Sequence, residues 1–214
     1  MSSKLILRQK LIECKALQFG DFTLTSGKKS NYYVNMKLAS TNPEVLKLIA
    51  VEFSKLIPSD TEFISGMELG AVPLAVALSL ETGLPYTMIR KGDRKHGTGS
   101  RLEGPTKGKT VLVDDVATTG GSNIESLSVL LDEGIDVCKI IVVVDREEGA
   151  AKKIKGYDIP FESLISASEG PSNLIAISLR FKSTSRISSL IPSIVPYSCE
   201  TPFIFTSVTA APGM

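Results

Sequence analysis

The chain has 214 residues, of which 43% are hydrophobic and 22% charged, and these proportions are ordinary for a globular protein. Its 24 lysines and arginines nearly balance 23 acidic residues, so bulk charge gives no case for nucleic acid or a membrane surface as a partner. No apolar run is long enough to span a bilayer, and the charged first segment lacks the pattern of a secretory signal.

The first third of the chain is predicted to contain a helix, a strand pair and a second helix. Apolar residues recur at near-helical spacing over residues 4–18. Residues 19–37 then change to glycine, threonine and aromatic residues with partial alternation, which indicates short strands around a turn. Residues 43–57 predict an amphipathic helix, with Pro43 in its first turn and Pro58 just after its end.

The middle of the chain combines apolar strands with one charged loop. Residues 61–83 predict a strand, a glycine-bearing loop and a helix, and residues 84–91 predict another short strand. Residues 91–109 carry five glycines, many charges and almost no apolar residue. This composition predicts an exposed, mobile loop.

The strands of the second half are apolar along their whole length. Residues 110–115 predict a strand that ends in two acids, residues 122–134 a helix, and residues 139–147 a strand that ends in acid and base. Residues 157–169 predict a further short strand and turn. Apolar strands that alternate with helices predict an α/β fold whose parallel sheet is covered on both faces.

Three predicted strands end in residues suited to function, namely SGMELGA at 65–71, VDDVATTGG at 113–121 and VDRE at 144–147. In parallel sheets ligands bind outside the carboxyl ends of the strands. We therefore expect one site that is built from all three strand ends.

The segment 117–122, ATTGGS, has the properties of a phosphate cradle. Its small side chains let a ligand approach several backbone N–H groups, and it leads directly into a helix N-terminus. It is neither a Walker A loop nor a G-x-G-x-x-G motif. The preceding Asp114 and Asp115 would repel phosphate, but they can accept hydrogen bonds from sugar hydroxyls and favour positive charge on a sugar ring. The pattern therefore suits a sugar phosphate; the alternative is a helix N-cap on an ordinary strand–helix turn.

Four segments carry a resemblance to a known family. VLVDDVATTGGS at 111–122 resembles the phosphoribosyl pyrophosphate loop of type I phosphoribosyltransferases. RKGDRKHGTG at 90–99 resembles the mobile catalytic loop of the orotate phosphoribosyltransferases, FTLTSGKKSNYYVNMK at 22–37 their N-terminal substrate segment, and VDRE at 144–147 their strand-end arginine. The resemblance covers about residues 20–170.

The resemblance implies a type I phosphoribosyltransferase fold, in which helices flank a central parallel sheet beside a small hood subdomain and a mobile catalytic loop. We expect this domain to span residues 1–180, with a hood from the N-terminal segment and about residues 157–170. Residues 181–214 form a tail rich in serine, threonine and proline whose role the sequence does not indicate.

The resemblance also implies the reaction, which is transfer of ribose 5-phosphate from 5-phosphoribosyl 1-pyrophosphate to orotate in pyrimidine biosynthesis. It implies Mg²⁺ that is bound through the substrates rather than by direct protein ligands, and a homodimer with shared active sites. Three widely separated cysteines, Cys14, Cys138 and Cys199, lack metal-ligand spacing and indicate a cytoplasmic protein with free thiols.

The site residues follow from matching this sequence to the family's motifs. Basic side chains beside glycines suit a loop that closes over a leaving pyrophosphate and excludes water. The expected catalytic residues are Lys91, Arg94, His96, Asp114 and Asp115. Phosphoribosyl pyrophosphate is expected to contact Arg90, Lys91, Arg94, His96, Asp114, Asp115, Val116, Ala117, Thr118, Thr119, Gly120, Gly121 and Ser122. Orotate is expected to contact Thr118, Arg146, Tyr32, Tyr33 and Lys28.

Some residues depart from the family pattern, and alternatives stay open. Thr25 stands where many members have lysine, and residues 68–70 lack the lysine that many members carry there. Arg146 could simply pair with a local acid, and the two tyrosines could simply pack in the core. At the level of function, the alternatives are a regulator that binds the sugar phosphate and a nucleic acid, and an enzyme for another base such as adenine or xanthine.

Overall fold

The computed structural model describes residues 3–23, 27, 29–92 and 100–169. In chain order its helices and strands are α1 (Ser3–Glu13), β1 (Leu17–Thr23), β2 (Lys29–Val34), α2 (Met36–Ser40), α3 (Pro43–Ser54), β3 (Phe63–Met67), α4 (Val72–Thr82), β4 (Tyr86–Ile89), β5 (Leu102–Glu103), β6 (Lys109–Ala117), α5 (Gly121–Asp132), β7 (Asp136–Asp145), α6 (Ala150–Lys155) and β8 (Phe161–Ser166). A 3-10 turn, Ala167–Glu169, follows β8.

The apolar strands form one six-stranded sheet in the order β5-β4-β3-β6-β7-β8. In this sheet β4, β3, β6, β7 and β8 run parallel to one another, and the two-residue edge strand β5 is antiparallel to β4. Every residue of β3 is buried, as is expected for a strand with both faces covered.

Helices cover both faces of this sheet. On one face α1, α3 and α4 pack on the sheet around Phe53 and Ile49, which are both fully buried. On the other face α5 and α6 pack through Leu127, Leu130 and Ile154, also fully buried. The predicted α/β class with a central parallel sheet flanked by helices is therefore confirmed.

A separate antiparallel hairpin, β1–β2, lies outside the main sheet. Leu17, Phe19, Tyr32 and Val34 pack it against the core on the α1 side of the sheet. The predicted strand pair is confirmed, but the predicted helix over 4–18 is too long. The structure ends this helix at Glu13 and begins β1 at Leu17, with Lys15 between them at a φ of 61°.

The region 157–169 contributes to the main sheet. β8 pairs with β7 as the edge strand, and the turn after it reaches α1 through an ion pair between Glu169 and Arg8. A hood that combines the N-terminal segment with about residues 157–170 stays a prediction. The division into a 1–180 domain and a 181–214 tail stays a prediction, because residues 170–214 lie outside the described residues.

No helix in the described ranges combines the length and the apolar character needed to cross a membrane.

Candidate active site

The carboxyl ends of β3, β6 and β7 meet at one edge of the main sheet. Ala117 at the end of β6 lies opposite Asp145 of β7, and the backbone N–H of Arg146 donates to the Ala117 carbonyl at 2.9 Å. On the other side of β6, Gly70 is so close to Asp115 that a Cβ atom on Gly70 would lie 2.6 Å from the Asp115 Oδ2 atom. The predicted convergence of the three strand ends is therefore confirmed.

Asp114 is only 8% exposed, and its carboxylate accepts hydrogen bonds from three donors. Oδ1 accepts a hydrogen bond from the backbone N–H of Asp115 at 2.9 Å. Oδ2 accepts from Nδ2 of Asn123 at 2.8 Å and from Oγ of Ser122 at 3.3 Å. Two of the three donors thus come from the first turn of α5, which fixes the carboxylate relative to that helix.

The neighbouring Asp115 is less buried and less constrained. Its Oδ1 accepts from the backbone N–H of Val116 at 2.7 Å. The chain folds closely over it only because residue 70 is a glycine, since a side chain there would occupy the position of the carboxylate. The Glu68–Leu69 peptide bond just before this glycine is cis.

Burial disfavours the ionised form of both acids. Burial, and then the charge of Asp115, raise the pKa of Asp114 to about 7. Burial also raises the pKa of Asp115, while the ammonium group of Lys37 in α2 acts in the opposite direction. Two adjacent carboxylates of this kind are stabilised by a ligand that donates hydroxyl hydrogens or carries positive charge.

The segment after the acids forms a turn that opens onto a helix N-terminus. Gly120 adopts a φ of +80°, and a Cβ atom there would lie 3.0 Å from the Cα atom of Ala150 in α6. This glycine directly precedes α5. Because it has no side chain, it gives the N–H groups of the first turn no capping hydrogen bond. Thr119, Gly121 and Ser122 are exposed beside it. The first N–H groups of α5 therefore face a position where an anion would be favoured.

A cavity of about 490 Å³ lies between the β1–β2 hairpin and the end of β7. Asp21, Lys29 and Tyr32 line it on the hairpin side, and Arg146 and Glu148 line it on the sheet side. The Cζ atom of Arg146 lies 5.3 Å from the centroid of the Tyr32 ring, within the range of a cation–π contact. The cavity therefore offers an aromatic face and a guanidinium group to one ligand.

Arg146 is anchored at one side of its guanidinium group. Its Nη2 atom pairs with Oε1 of Glu148 at 2.9 Å, while its Nε atom is buried without a hydrogen-bond partner among the described residues. The local acid that pairs with Arg146 is thus Glu148. Asp145 instead accepts from the backbone N–H of Glu147 at 2.8 Å, and burial raises the pKa of Asp145.

The two adjacent tyrosines of β2 have different surroundings, because successive side chains of a strand point to opposite faces. Tyr32 lines the cavity beneath Arg146. Tyr33 is 41% exposed and packs instead on Phe22, with the ring centroids 5.6 Å apart. A role for Tyr33 at the base stays a prediction.

The start of the basic loop, at Arg90 and Lys91, is held by the loop that follows β3. The backbone N–H of Lys91 donates to Oε1 of Glu68 at 2.7 Å. Arg101 donates through Nε to the carbonyl of Arg90 at 2.9 Å and through Nη2 to Glu125 of α5 at 2.7 Å. Arg90 and Lys91 therefore begin the loop from a point tied to both β3 and α5.

Some predicted residues lie outside the described part of the chain, namely Lys28, Arg94 and His96. Their roles, like all the ligand contacts assigned above, stay predictions. The sequence analysis missed Asn123, Glu68 and Glu148 as partners of site residues. Only Glu68 carried a signal, because it stands in the loop where many members of the resembling family carry lysine.

The oxygen donors at this edge suit a hard cation that is held mainly by a substrate. Within the ranges the structure covers, no group of three or more histidine, cysteine, aspartate or glutamate side chains could hold a metal ion. The donor set that does lie here is the carboxylate pair Asp114 and Asp115. Mg²⁺ commonly binds through one or two carboxylates together with substrate phosphates, so this donor set fits Mg²⁺.

Comparison with known proteins finds a matching family model and similar enzymes. A family model described as the phosphoribosyl transferase domain matches residues 41–172. The orotate phosphoribosyltransferase of Methanopyrus kandleri is 46% identical over 164 residues, which are 76% of this chain and 89% of that protein.

Solved structures agree with the sequence comparison. The orotate phosphoribosyltransferase of Mycobacterium tuberculosis, in complex with Fe(III) dicitrate, superimposes with a TM-score of 0.69 at 27% identity over 78% of this chain and 98% of that one. The same enzyme in complex with 5-phospho-α-D-ribosyl 1-diphosphate gives a TM-score of 0.66 at 25% identity, with the same coverage.

The raised pKa of Asp114 predicts a stability change on substitution. Folding raises this pKa from about 3.9 to about 7, so the folded chain binds the proton more tightly than the unfolded chain. Asp114 therefore reduces stability progressively as the pH rises from about 4 to 7, and the loss is complete above pH 7. Asp114→Asn, which cannot ionise, should raise the free energy of unfolding by up to about 4 kcal/mol at pH 8 and by clearly less at pH 5.

Urea unfolding at the two pH values measures this difference. Asp132→Asn, at the exposed end of α5, is the matched control and should show no such pH-dependent gain. An Asp114→Asn protein no more stable than wild type at pH 8 contradicts the burial argument.

Proposed function

The chain belongs to the phosphoribosyl transferase family, and from this premise we infer that it is an orotate phosphoribosyltransferase. It transfers the ribose 5-phosphate group of 5-phosphoribosyl 1-pyrophosphate to orotate, and it releases orotidine 5′-monophosphate and pyrophosphate. One observation carries this conclusion, namely the buried acid pair Asp114–Asp115 directly before the open N-terminus of α5. Relatives of this chain at 46% and 49% identity are orotate phosphoribosyltransferases.

The sugar phosphate is bound by the end of β6 and the start of α5. The backbone N–H groups and hydroxyls of residues 117–122 hold the 5′-phosphate, with favourable charge from the helix N-terminus. Asp114 and Asp115 accept hydrogen bonds from the ribose hydroxyls. The raised pKa of each acid supports this assignment, because hydroxyl donors and a cationic ring both stabilise the ionised pair.

Substitution at C1′ of the ribose is helped mainly by electrostatics and positioning. The bond from C1′ to the pyrophosphate oxygen breaks, a ring nitrogen of orotate forms the new bond to C1′, and the ribose carries positive charge in between. Asp114 and Asp115 favour that charge, while Lys91, Arg94 and His96 favour the negative charge on the departing pyrophosphate. Magnesium, carried by the substrates, would neutralise charge on the pyrophosphate and ribose oxygens.

Orotate occupies the cavity between the hairpin and β7. Its planar ring fits against Tyr32, and its carboxylate suits the guanidinium group of Arg146, which has a donor at Nε without a partner among the described residues. Glu148 orients the guanidinium from its other side. Thr118, Tyr33 and Lys28 complete the base contacts in this proposal.

The enzyme acts as a homodimer in the cytoplasm, on small molecules and not on nucleic acid. Support for a dimer is the family resemblance of the 90–99 segment, whose basic residues reach the neighbouring subunit's substrate in such enzymes. Support for the location is the cysteine pattern, in which Cys14 and Cys138 are free thiols.

Lys91→Ala and Asp115→Asn should each lower kcat by more than about tenfold, because each removes charge that the transition state needs. The loss of orotate absorbance in the presence of phosphoribosyl pyrophosphate and Mg²⁺ measures turnover. Lys47→Ala, at an exposed position of α3, is the control and should keep wild-type kcat.

Pyrophosphate release with orotate, adenine or xanthine as the acceptor tests the base. A preference for another base would rule out orotate as the substrate. Near-normal turnover in both Lys91→Ala and Asp115→Asn would contradict the mechanism.

Arg146→Lys should raise KM for orotate by about tenfold, because lysine keeps the charge but loses the planar fork that matches a carboxylate. KM for phosphoribosyl pyrophosphate should stay within about twofold, because the sugar phosphate binds at β6. Initial rates with each substrate varied in turn measure both constants, and Lys153→Ala in α6 serves as the control. Equal increases in the two constants would place Arg146 outside the base site.

Mixing the Lys91→Ala and Asp115→Asn proteins should restore activity if subunits share their sites. After unfolding and refolding together, a mixed dimer carries one active site with both residues intact, so the mixture should regain about a quarter of wild-type turnover by random assortment. Refolding each variant alone is the control. No recovery in the mixture, although size measurements show a dimer, would show that each site is built within one subunit.

A further inference from the structure

We propose that Asn123 is a positioning residue for the reaction, which holds the Asp114 carboxylate so that one oxygen atom, Oδ1, is left to receive the ribose. The inference rests on the proposed function, since it concerns the same sugar site. Asn123 itself is 1% exposed and therefore acts through Asp114.

The hydrogen bonds of Asp114 determine which of its two carboxylate oxygens can still accept a hydrogen bond from a ribose hydroxyl. An ionised carboxylate has about four acceptor positions, roughly two on each oxygen. Both positions of Oδ2 are used, by Nδ2 of Asn123 at 2.8 Å and Oγ of Ser122 at 3.3 Å. Among the described residues, Oδ1 accepts a hydrogen bond from the backbone N–H of Asp115 at 2.9 Å. A side-chain hydrogen bond also joins the carboxyl groups of Asp114 and Asp115, but it needs a proton on one of them and is lost when both are ionised. A ribose hydroxyl therefore meets its free acceptor position on Oδ1.

The same contact connects the two halves of the sugar-phosphate site. Asn123 lies in the first turn of α5, directly after the residues that hold the 5′-phosphate in the proposed function. Its amide crosses from that turn to the acid at the end of β6. The proposed phosphate-binding turn and the proposed ribose-binding carboxylate are thus held at a fixed separation, as a ligand of fixed length such as ribose 5-phosphate requires.

Asparagine at this position is poorly explained by packing alone. Its Oδ1 atom is buried and has no hydrogen-bond partner among the described residues. A buried unpartnered carbonyl oxygen is unfavourable, and leucine has nearly the same shape without that cost. The amide group is therefore explained by its N–H bond to Asp114 rather than by packing.

The test compares Asn123→Leu with Ser126→Ala. Ser126 is equally buried one turn further along α5, and its Oγ donates to the carbonyl of Ser122 rather than to Asp114. Calorimetry with phosphoribosyl pyrophosphate and Mg²⁺ measures affinity, initial rates separate KM from kcat, and urea unfolding measures stability. Asn123→Ala is included so that a folding defect of the leucine variant leaves a second protein to measure.

Asn123→Leu should weaken phosphoribosyl pyrophosphate binding and lower kcat/KM for it by about tenfold, the effect of one hydrogen bond to a charged group. KM for orotate should stay within about twofold, and urea unfolding should show the variant fully folded under the assay conditions. Ser126→Ala should keep wild-type affinity and kcat/KM.

Two results would overturn the inference. In the first, the Asn123 variants bind phosphoribosyl pyrophosphate and turn it over like wild type. In the second, their loss of binding and turnover is no larger than the fraction of the variant that is unfolded. A wild-type protein that binds phosphoribosyl pyrophosphate but does not consume orotate would remove the proposed base instead, and the affinities would still decide the role of Asn123. A wild-type protein that does not bind the sugar phosphate overturns both proposals.

Discussion

Two adjacent carboxylates at the buried end of a parallel strand are the constraint on which the rest of this structure depends. Burial raises the pKa of Asp114 to about 7 and also raises that of Asp115, so the pair opposes its own ionisation. Backbone N–H groups and the side chains of Ser122 and Asn123 offset part of that cost. In the proposed function, the remainder is relieved by the ribose, which brings hydroxyl groups and positive charge in the transition state.

Close packing around the acids follows from this constraint. Glycine is required at position 70 because a side chain would enter the space of the Asp115 carboxylate, and glycine at position 120 lets the turn pass α6 with a left-handed backbone. The first turn of α5 then has two roles, since its N–H groups face the proposed phosphate position and Asn123 donates to Asp114. Arg101 ties the start of the basic loop to Glu125 of the same helix. One helix thus positions the groups proposed for the sugar, the phosphate and the leaving pyrophosphate.

Much of the fold and site was predictable because it depends on local physics. Apolar runs such as residues 140–144 indicate buried parallel strands, and small residues after paired acids indicate a phosphate-binding turn. The end of α1 was missed because apolar spacing continues to Leu17, while the backbone turns at Lys15 and the chain pairs as a strand with β2. The short elements α6 and β5 were missed because six and two residues carry no clear period.

The sequence by itself determined the class of fold, the order of the longer strands and helices along the chain, and the acids and small residues proposed for the sugar phosphate. Only the tertiary structure decided which side chains meet. It separated Tyr32, beneath Arg146, from Tyr33 on the opposite face, paired Arg146 with Glu148, and joined Glu68 to the backbone of Lys91. These contacts link strand ends, loops and helices, and Glu68 and Lys91 lie 23 residues apart. Sequence periodicity reports which face of one element is buried, whereas the geometry between elements is set by how the sheet and its helices pack.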